Sequence, residues 1–181
     1  LLRDGSLGPE AFLLQRTTSA AFLAGAHVFP GGALDQADGD AHVLRRVAGI
    51  SDAQASARLG VQSGGLAYWV AAIRECFEEA GLLVARHEDG RPLRMADAAT
   101  AERFDRHRTA VDRGEVDLID VFIGEGLHLP LGELHYFAHW ITPSIERKRF
   151  SARFFLARLP DGQQPQFDDQ ETVDQVWVTP E

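Results

Sequence analysis

Glu75, Glu78 and Glu79 are the side chains in this sequence whose types and spacing could do chemistry together. They stand in the run Arg74-Glu75-Cys76-Phe77-Glu78-Glu79-Ala80-Gly81-Leu82. Wound as a helix, positions i, i+3 and i+4 share a face, with roughly 5–6 Å between neighbouring Cβ atoms, and like charges at that spacing repel. Arg74 lies four residues before Glu78 and can pair with it, but one arginine does not balance three acids. A divalent cation would, and ligation by oxygen alone points to Mg2+ or Mn2+. Taken without its surroundings, the run reads first as a solvated acidic helix face.

The helix that must carry these residues is visible in the apolar pattern. Leu66, Val70, Ile73 and Phe77 recur at i, i+4, i+7 and i+11, a stripe opposite the carboxylates at about 100° per residue. Gly81 stands where a C-terminal cap belongs. Upstream, Val28-Phe29-Pro30-Gly31-Gly32 reads as a strand running into a tight loop.

Phe-Pro-Gly-Gly followed by Arg-Glu-x-x-Glu-Glu-x-Gly resembles the Nudix hydrolase family, whose box reads G-x5-E-x7-R-E-U-x-E-E-x-G-U, with U an aliphatic residue. Gly32 matches the first glycine, and Arg74 to Leu82 match the second half, with Cys76 and Leu82 at the U positions. The box is split. Asp38 stands where the family has Glu, and 35 residues, 39 to 73, separate it from Arg74 where the family has seven. Such an insertion is similar to the acyl-coenzyme A diphosphatase-like branch of the family, of the peroxisomal type. Trp140-Ile141-Thr142-Pro143, Lys148-Arg149-Phe150, Phe154-Phe155-Leu156-Ala157 and Val176-Trp177 extend that likeness over nearly the whole chain, as do Phe22 and Gly25 ahead of the Gly-Gly loop. The coenzyme A-type signature calls for arginine at position 21, where this chain has Ala21.

The resemblance implies an α/β/α sandwich with a mixed sheet and hydrolysis of a diphosphate bridge joining a nucleoside to another group. It implies Glu75, Glu78 and Glu79, with the Gly31 carbonyl, as ligands of Mg2+ or Mn2+, and Arg74 as the residue that orients the carboxylates. The base that activates water is Glu75 or an acid of a distal loop, for which Glu171 is the candidate. Arg147, Lys148 and Arg149 are candidates to grip substrate phosphates, set against a solvated basic loop. Coenzyme A esters lead the substrates, with nucleotide sugars, dinucleoside polyphosphates and ADP-ribose open beside them. The alternative is a Nudix-fold nucleotide-binding or regulatory module without turnover.

Composition is consistent with one domain over residues 1 to 181. Hydrophobic residues make up 45% and charged residues 25%, ordinary for a globular chain large enough to bury a core. The formal net charge of −9 argues against non-specific binding to nucleic acid or anionic lipid. No apolar run approaches 18 residues, so no membrane span is expected. The single cysteine, Cys76, makes no internal disulfide and points to a reducing, cytoplasmic setting. Both ends read as cut within structural elements, so targeting signals would lie outside this sequence.

Strands are expected over 10–16, 27–29, 82–86, 134–142, 152–159 and 173–178, with 3–9 as a turn after a strand tail at Leu1-Leu2. Residues 36 to 64 form the insertion, with short helices over 40–48 and 51–59, the second capped by Ser51. It reads as a lid over the site, a surface excursion or a homodimer contact. Further helices are expected over 97–111, capped by Asp97 and with a solvated basic face that includes Arg108, and over 117–123. His135 and His139 on one strand face would stand about 13 Å apart, too far to share a metal. Thr179-Pro180-Glu181 reads as a helix start.

Overall fold

The computed structural model describes residues 1–20, 23–145, 149–167 and 172–180. Around β2 (Gly8–Arg16) the chain builds a four-stranded antiparallel sheet. β8 (Thr172–Val178) runs along one edge of β2, while β1 (Leu2–Gly5) and β3 (His27–Val28) succeed each other on the other edge. Two smaller antiparallel pairs complete the strand content of the described residues: β4 (Arg86–His87) with β5 (Leu127–His128), and β6 (His135–Ile141) with β7 (Ser151–Leu156). Parallel pairing among the described residues is confined to two isolated bridges, Leu2 with Arg158 and Val47 with Leu129.

The helix predicted from the apolar stripe is α3 (Leu66–Ala80). Leu66, Val70, Ile73 and Phe77 are all buried, and Gly81 caps the helix at φ +67°. Trp69 is fully buried at the centre and donates its indole N–H to the Leu134 carbonyl at 3.1 Å, so its one polar group is satisfied. Phe155 packs edge-on to that indole at 4.8 Å.

The insertion belongs to this core. A 3-10 turn (Ala37–Gly39) leads into α1 (Ala41–Leu44) and α2 (Asp52–Leu59). Ser51 and Gln54 form the reciprocal capping box at the start of α2. Val43, Ile50, Ala55 and Leu59 are buried with α3 in one cluster. Asp52 accepts hydrogen bonds from the backbone of Gly64 and Leu66, both at 3.0 Å, and Ser56 Oγ accepts from Gly65 at 2.9 Å. The orphan donors at the start of α3 are thereby met from α2. A segment anchored in this way is part of the scaffold that starts the acidic helix.

Several expected boundaries move. Arg3 to Gly5 is strand, not turn, because Leu2 to Gly5 pairs with Gly8 to Ala11 in a hairpin closed at Ser6-Leu7. Residues 82 to 85 are buried but form no ladder: the Gln163 side chain bonds both the N–H and the carbonyl of Leu83 in its place. The first insertion helix stops at Leu44. α4 (Ala98–Asp112) starts under an Asp97 cap as expected, and α5 (Leu118–Gly124) follows it. Phe22 and Ala21 lie outside the described residues, as does Glu181 at the expected terminal helix start.

Candidate active site

α3 carries its three glutamates on the side away from the core, and Arg74 gathers the surrounding acids. Its Nε donates to Asp38 Oδ1 at 2.9 Å and its Nη2 to Asp38 Oδ2 at 3.1 Å, a two-pronged ion pair. Its Nη1 donates to Glu75 Oε1 and Glu78 Oε2, both at 2.9 Å, and its Nη2 also reaches the Ala33 carbonyl at 2.9 Å. The 35 residues between Asp38 and Arg74 in sequence thus close to hydrogen-bond distance in space. The 3-10 turn places Asp38 against α3, where it is 2% exposed. Asp38 Oδ2 also accepts from the Asp35 N–H at 2.8 Å, which fixes the carboxylate from its own loop.

The Gly-Gly loop covers the other flank of the helix. Gly31 donates its N–H to Glu79 Oε2 at 2.9 Å. A Cβ on Gly32 would lie 2.6 Å from both carboxylate oxygens of Glu75, which only glycine avoids without moving that carboxylate. The last turn of α3 is gripped from behind by α4: Arg108 Nε donates to the Glu78 carbonyl at 2.8 Å and Nη2 to the Glu79 carbonyl at 3.1 Å. Arg108 is 8% exposed, so the expectation of a solvated basic face fails for it. A cation here meets orphan carbonyls and opposes the negative end of the helix dipole, next to two glutamates. The signal was present in the sequence, since Arg108 shares the i, i+4, i+7 stripe of Phe104 and Val111, all three buried. The neighbouring Arg103 and His107 pair with Glu125.

The charges perturb one another. Burial pushes the Glu78 carboxyl up to about 7, opposed by Arg74 and aided by the Glu75 charge. Burial works against the Arg74 charge, but the hydrogen bond and charge of Asp38 outweigh it and hold the guanidinium above its ordinary value. Cys76, buried against the sheet, has its thiol raised to about 11 by desolvation, which leaves it an inert packing residue at neutral pH.

The four expected metal ligands do not meet at one point. Among the described residues, no three Asp, Glu, His or Cys side chains form a group that could hold an ion. Glu75 and Glu78 turn to Arg74, Glu79 turns to the Gly31 N–H, and it is that N–H of Gly31, rather than its carbonyl, that faces a glutamate. The donor chemistry still fits a hard divalent cation. The groups are all oxygens, and Asp38, Glu75 and Glu78 share one arginine.

Of the other candidates, Arg149 bonds the Thr142 carbonyl at 3.3 Å and braces the loop between β6 and β7. Arg147, Lys148 and Glu171 lie outside the described residues. His135 and His139 are exposed, and His139 bonds Ser151 Oγ at 2.8 Å.

Known proteins resemble this chain over nearly its full length. The protein is 30% identical over 203 residues to human acyl-coenzyme A diphosphatase NUDT19, covering 96% of this chain and 54% of the relative. It is 25% identical over 200 residues to the Xenopus laevis protein of the same name, covering 94% and 53%. The chain therefore spans about half the length of the curated relatives it matches. The crystal structure of a NUDIX hydrolase from Alicyclobacillus acidocaldarius superposes with a TM-score of 0.76 at 26% identity, over 98% of this chain and 74% of that one. The description of the NUDT19 Nudix domain matches residues 5–181, and with the split box closed by Asp38 and Arg74 the chain belongs to that family.

Proposed function

We propose that this domain hydrolyses the diphosphate bridge of a nucleoside diphosphate linked to another group, with coenzyme A and its acyl thioesters as the leading substrates and Mg2+ or Mn2+ as the cofactor. The observation that carries this reading is the Arg74 hub, which gathers Asp38, Glu75 and Glu78 across a box divided by 28 extra residues. The relatives, acyl-coenzyme A diphosphatases by name, suggest the substrate class.

Glu75, Glu78 and Glu79 would hold the cation. When bound, a divalent ion supplies charge neutralisation for the diphosphate and lowers the pKa of a bound water. Arg74 keeps Glu75 and Glu78 in register and spends its donors on protein oxygens, so it acts as a positioning residue. Gly32 leaves the Glu75 carboxylate room beside the loop, and Arg108 fixes the helical turn from which Glu78 and Glu79 project. Glu75 is the described candidate for the base, with Glu171 as the distal alternative. Arg147, Lys148 and Arg149 are proposed contacts for the substrate phosphates.

The test is hydrolysis of CoA, acyl-CoA, ADP-ribose, NADH and nucleotide sugars with Mg2+ or Mn2+, beside Glu79→Gln. Metal-dependent release of 3′,5′-ADP from CoA species, reduced at least about a hundredfold in the variant, is the expected result. Absence of turnover across the panel, with ligand binding intact, would replace the enzyme by a nucleotide-binding module.

A further inference from the structure

The outer face of the β6–β7 hairpin is aromatic and open. Register pairs Ala138 with Phe154 and Trp140 with Ala152, so these four side chains share one face of the ladder. The irregularity between Tyr136 and Ala138 brings Phe137 to the same face, its ring 6.0 Å from that of Phe154. Trp140 stands 5.6 Å from Phe154 on the other side. Trp140 is 71% exposed and Phe137 52% exposed. The inner face is different: Phe155 and Tyr136 pack on Trp69, and Arg153 covers the Tyr68 ring. Sheet formation alone therefore accounts for Phe155 and Tyr136 but not for the outward rings. Singly exposed apolar residues need no explanation, whereas a contiguous patch marks a binding surface.

This patch is continuous with the candidate active site. Phe29, the first residue of the Phe-Pro-Gly-Gly loop, places its ring 6.0 Å from Phe154, edge to face. Gly31, whose N–H holds Glu79, lies two residues along, at most about 7 Å in Cα separation. The rings thus form a track from the loop that borders the carboxylates out to Trp140. Among Ala138, Phe154, Trp140 and Ala152 on this face of the ladder, the indole N–H is the one side-chain hydrogen-bonding group. The polar pair at the end of the hairpin, His139 and Ser151, is on the other face and bonded to itself.

We propose that the outer part of this track, Phe154, Phe137 and Trp140, is the subsite for the acyl chain of the substrate, with Phe29 beside the pantetheine arm that separates the chain from the diphosphate. The assignment rests on the reading of the site as a hydrolase of CoA-type diphosphates, and it adds where the remote part of the substrate goes. A nucleobase carries ring nitrogens and an exocyclic amine that ask for polar partners, and among the described residues of this ladder face only the Trp140 indole N–H could serve. A hydrocarbon chain asks only for removal from water, and each buried methylene contributes about a fourfold gain in affinity when fully covered. On a one-sided surface about half that transfer is realised, or about twofold per methylene.

Binding is measured by calorimetry without added metal, so that turnover is not required. The ligands are CoA, acetyl-CoA and octanoyl-CoA, the proteins wild type, Trp140→Ala and Phe137→Ala. Both substitutions are at exposed positions outside the carboxylate site. Wild type should bind octanoyl-CoA at least about tenfold tighter than CoA. The variants should lose most of that preference while their affinity for CoA itself stays unchanged. Equal weakening for CoA and octanoyl-CoA would overturn the proposal in favour of base stacking, and an undiminished preference would place the chain elsewhere. No chain-length preference in wild type, or no binding of any of the three, would also overturn it. Sedimentation is run in parallel: variants that turn a wild-type dimer into a monomer would make the patch a contact between copies. Chain-length preference without hydrolysis would retire the catalytic reading and leave the subsite standing.

Discussion

Asp38→Asn tests whether the divided box is held together by its ion pair. Asp38 is 2% exposed and meets three donors: Arg74 Nε at 2.9 Å, Arg74 Nη2 at 3.1 Å and the Asp35 N–H at 2.8 Å. Asparagine keeps the volume but offers one acceptor oxygen. Its NH2 group must then face either the guanidinium or the Asp35 N–H, donor against donor. Removing one partner of a buried pair costs about 3–5 kcal/mol, because the other charge is left uncompensated. Arg74 retains Glu75, Glu78 and the Ala33 carbonyl, which puts the expected cost at the lower end, about 3 kcal/mol. For a domain of this size that is a fall in Tm of about 6–12 °C. Urea unfolding gives the free energy directly, and Arg74→Met with the double variant closes the cycle. The coupling between the two sites should be at least about 1.5 kcal/mol. A variant within about 0.5 kcal/mol of wild type, or additive single effects, would refute the claim that Asp38 and Arg74 close the box. Diphosphatase activity should fall with the pair, since Glu75 and Glu78 share the same guanidinium.

Arg108→Ala should destabilise by about 2–3 kcal/mol, for two charge-assisted bonds to the Glu78 and Glu79 carbonyls, with Arg108→Lys recovering part of the loss in thermal unfolding. Gly32→Ala, at an exposed loop position, should leave stability within about 1 kcal/mol of wild type. Its Cβ would displace the Glu75 carboxylate by about 1 Å, so kcat/KM should drop about 10–100-fold. Equal activity would show that Glu75 moves without consequence. Asp52 has its pKa lowered, first by the Leu66 N–H, with burial opposing and the Gly64 N–H assisting. A carboxyl lowered in the folded state stabilises above its unfolded value and loses that contribution as pH falls through the folded value. Wild type should therefore exceed Asp52→Asn in stability by a constant margin at neutral pH. The two should converge as pH drops below the ordinary 3.8, read by urea unfolding across pH.

Much of this protein was legible in the sequence because local periodicity and caps carry it. The stripe Leu66, Val70, Ile73 and Phe77 fixed α3 and which side of it is buried, and Gly81, Ser51 and Asp97 marked their caps. The glutamate spacing placed the carboxylates on one helix face, and the Gly-Gly loop beside them identified the family. Residues 82 to 85 deceived the apolar-run reading, because burial without a ladder partner leaves no trace in composition.

Three decisions belonged to tertiary structure alone. Whether Asp38 meets Arg74 depends on how 35 intervening residues close, and no local rule measures that distance. The insertion became scaffold because Asp52 and Ser56 cap α3 from another helix, a contact between elements that propensity does not encode. Arg108 stands on the Phe104 and Val111 stripe, but which groups it would meet, the Glu78 and Glu79 carbonyls, was decided only by the docking of α4 against the last turn of α3. Spacing along the chain determines which side chains share a face. Which faces then meet is set by packing, since burial and hydrogen-bond satisfaction are properties of the assembled core.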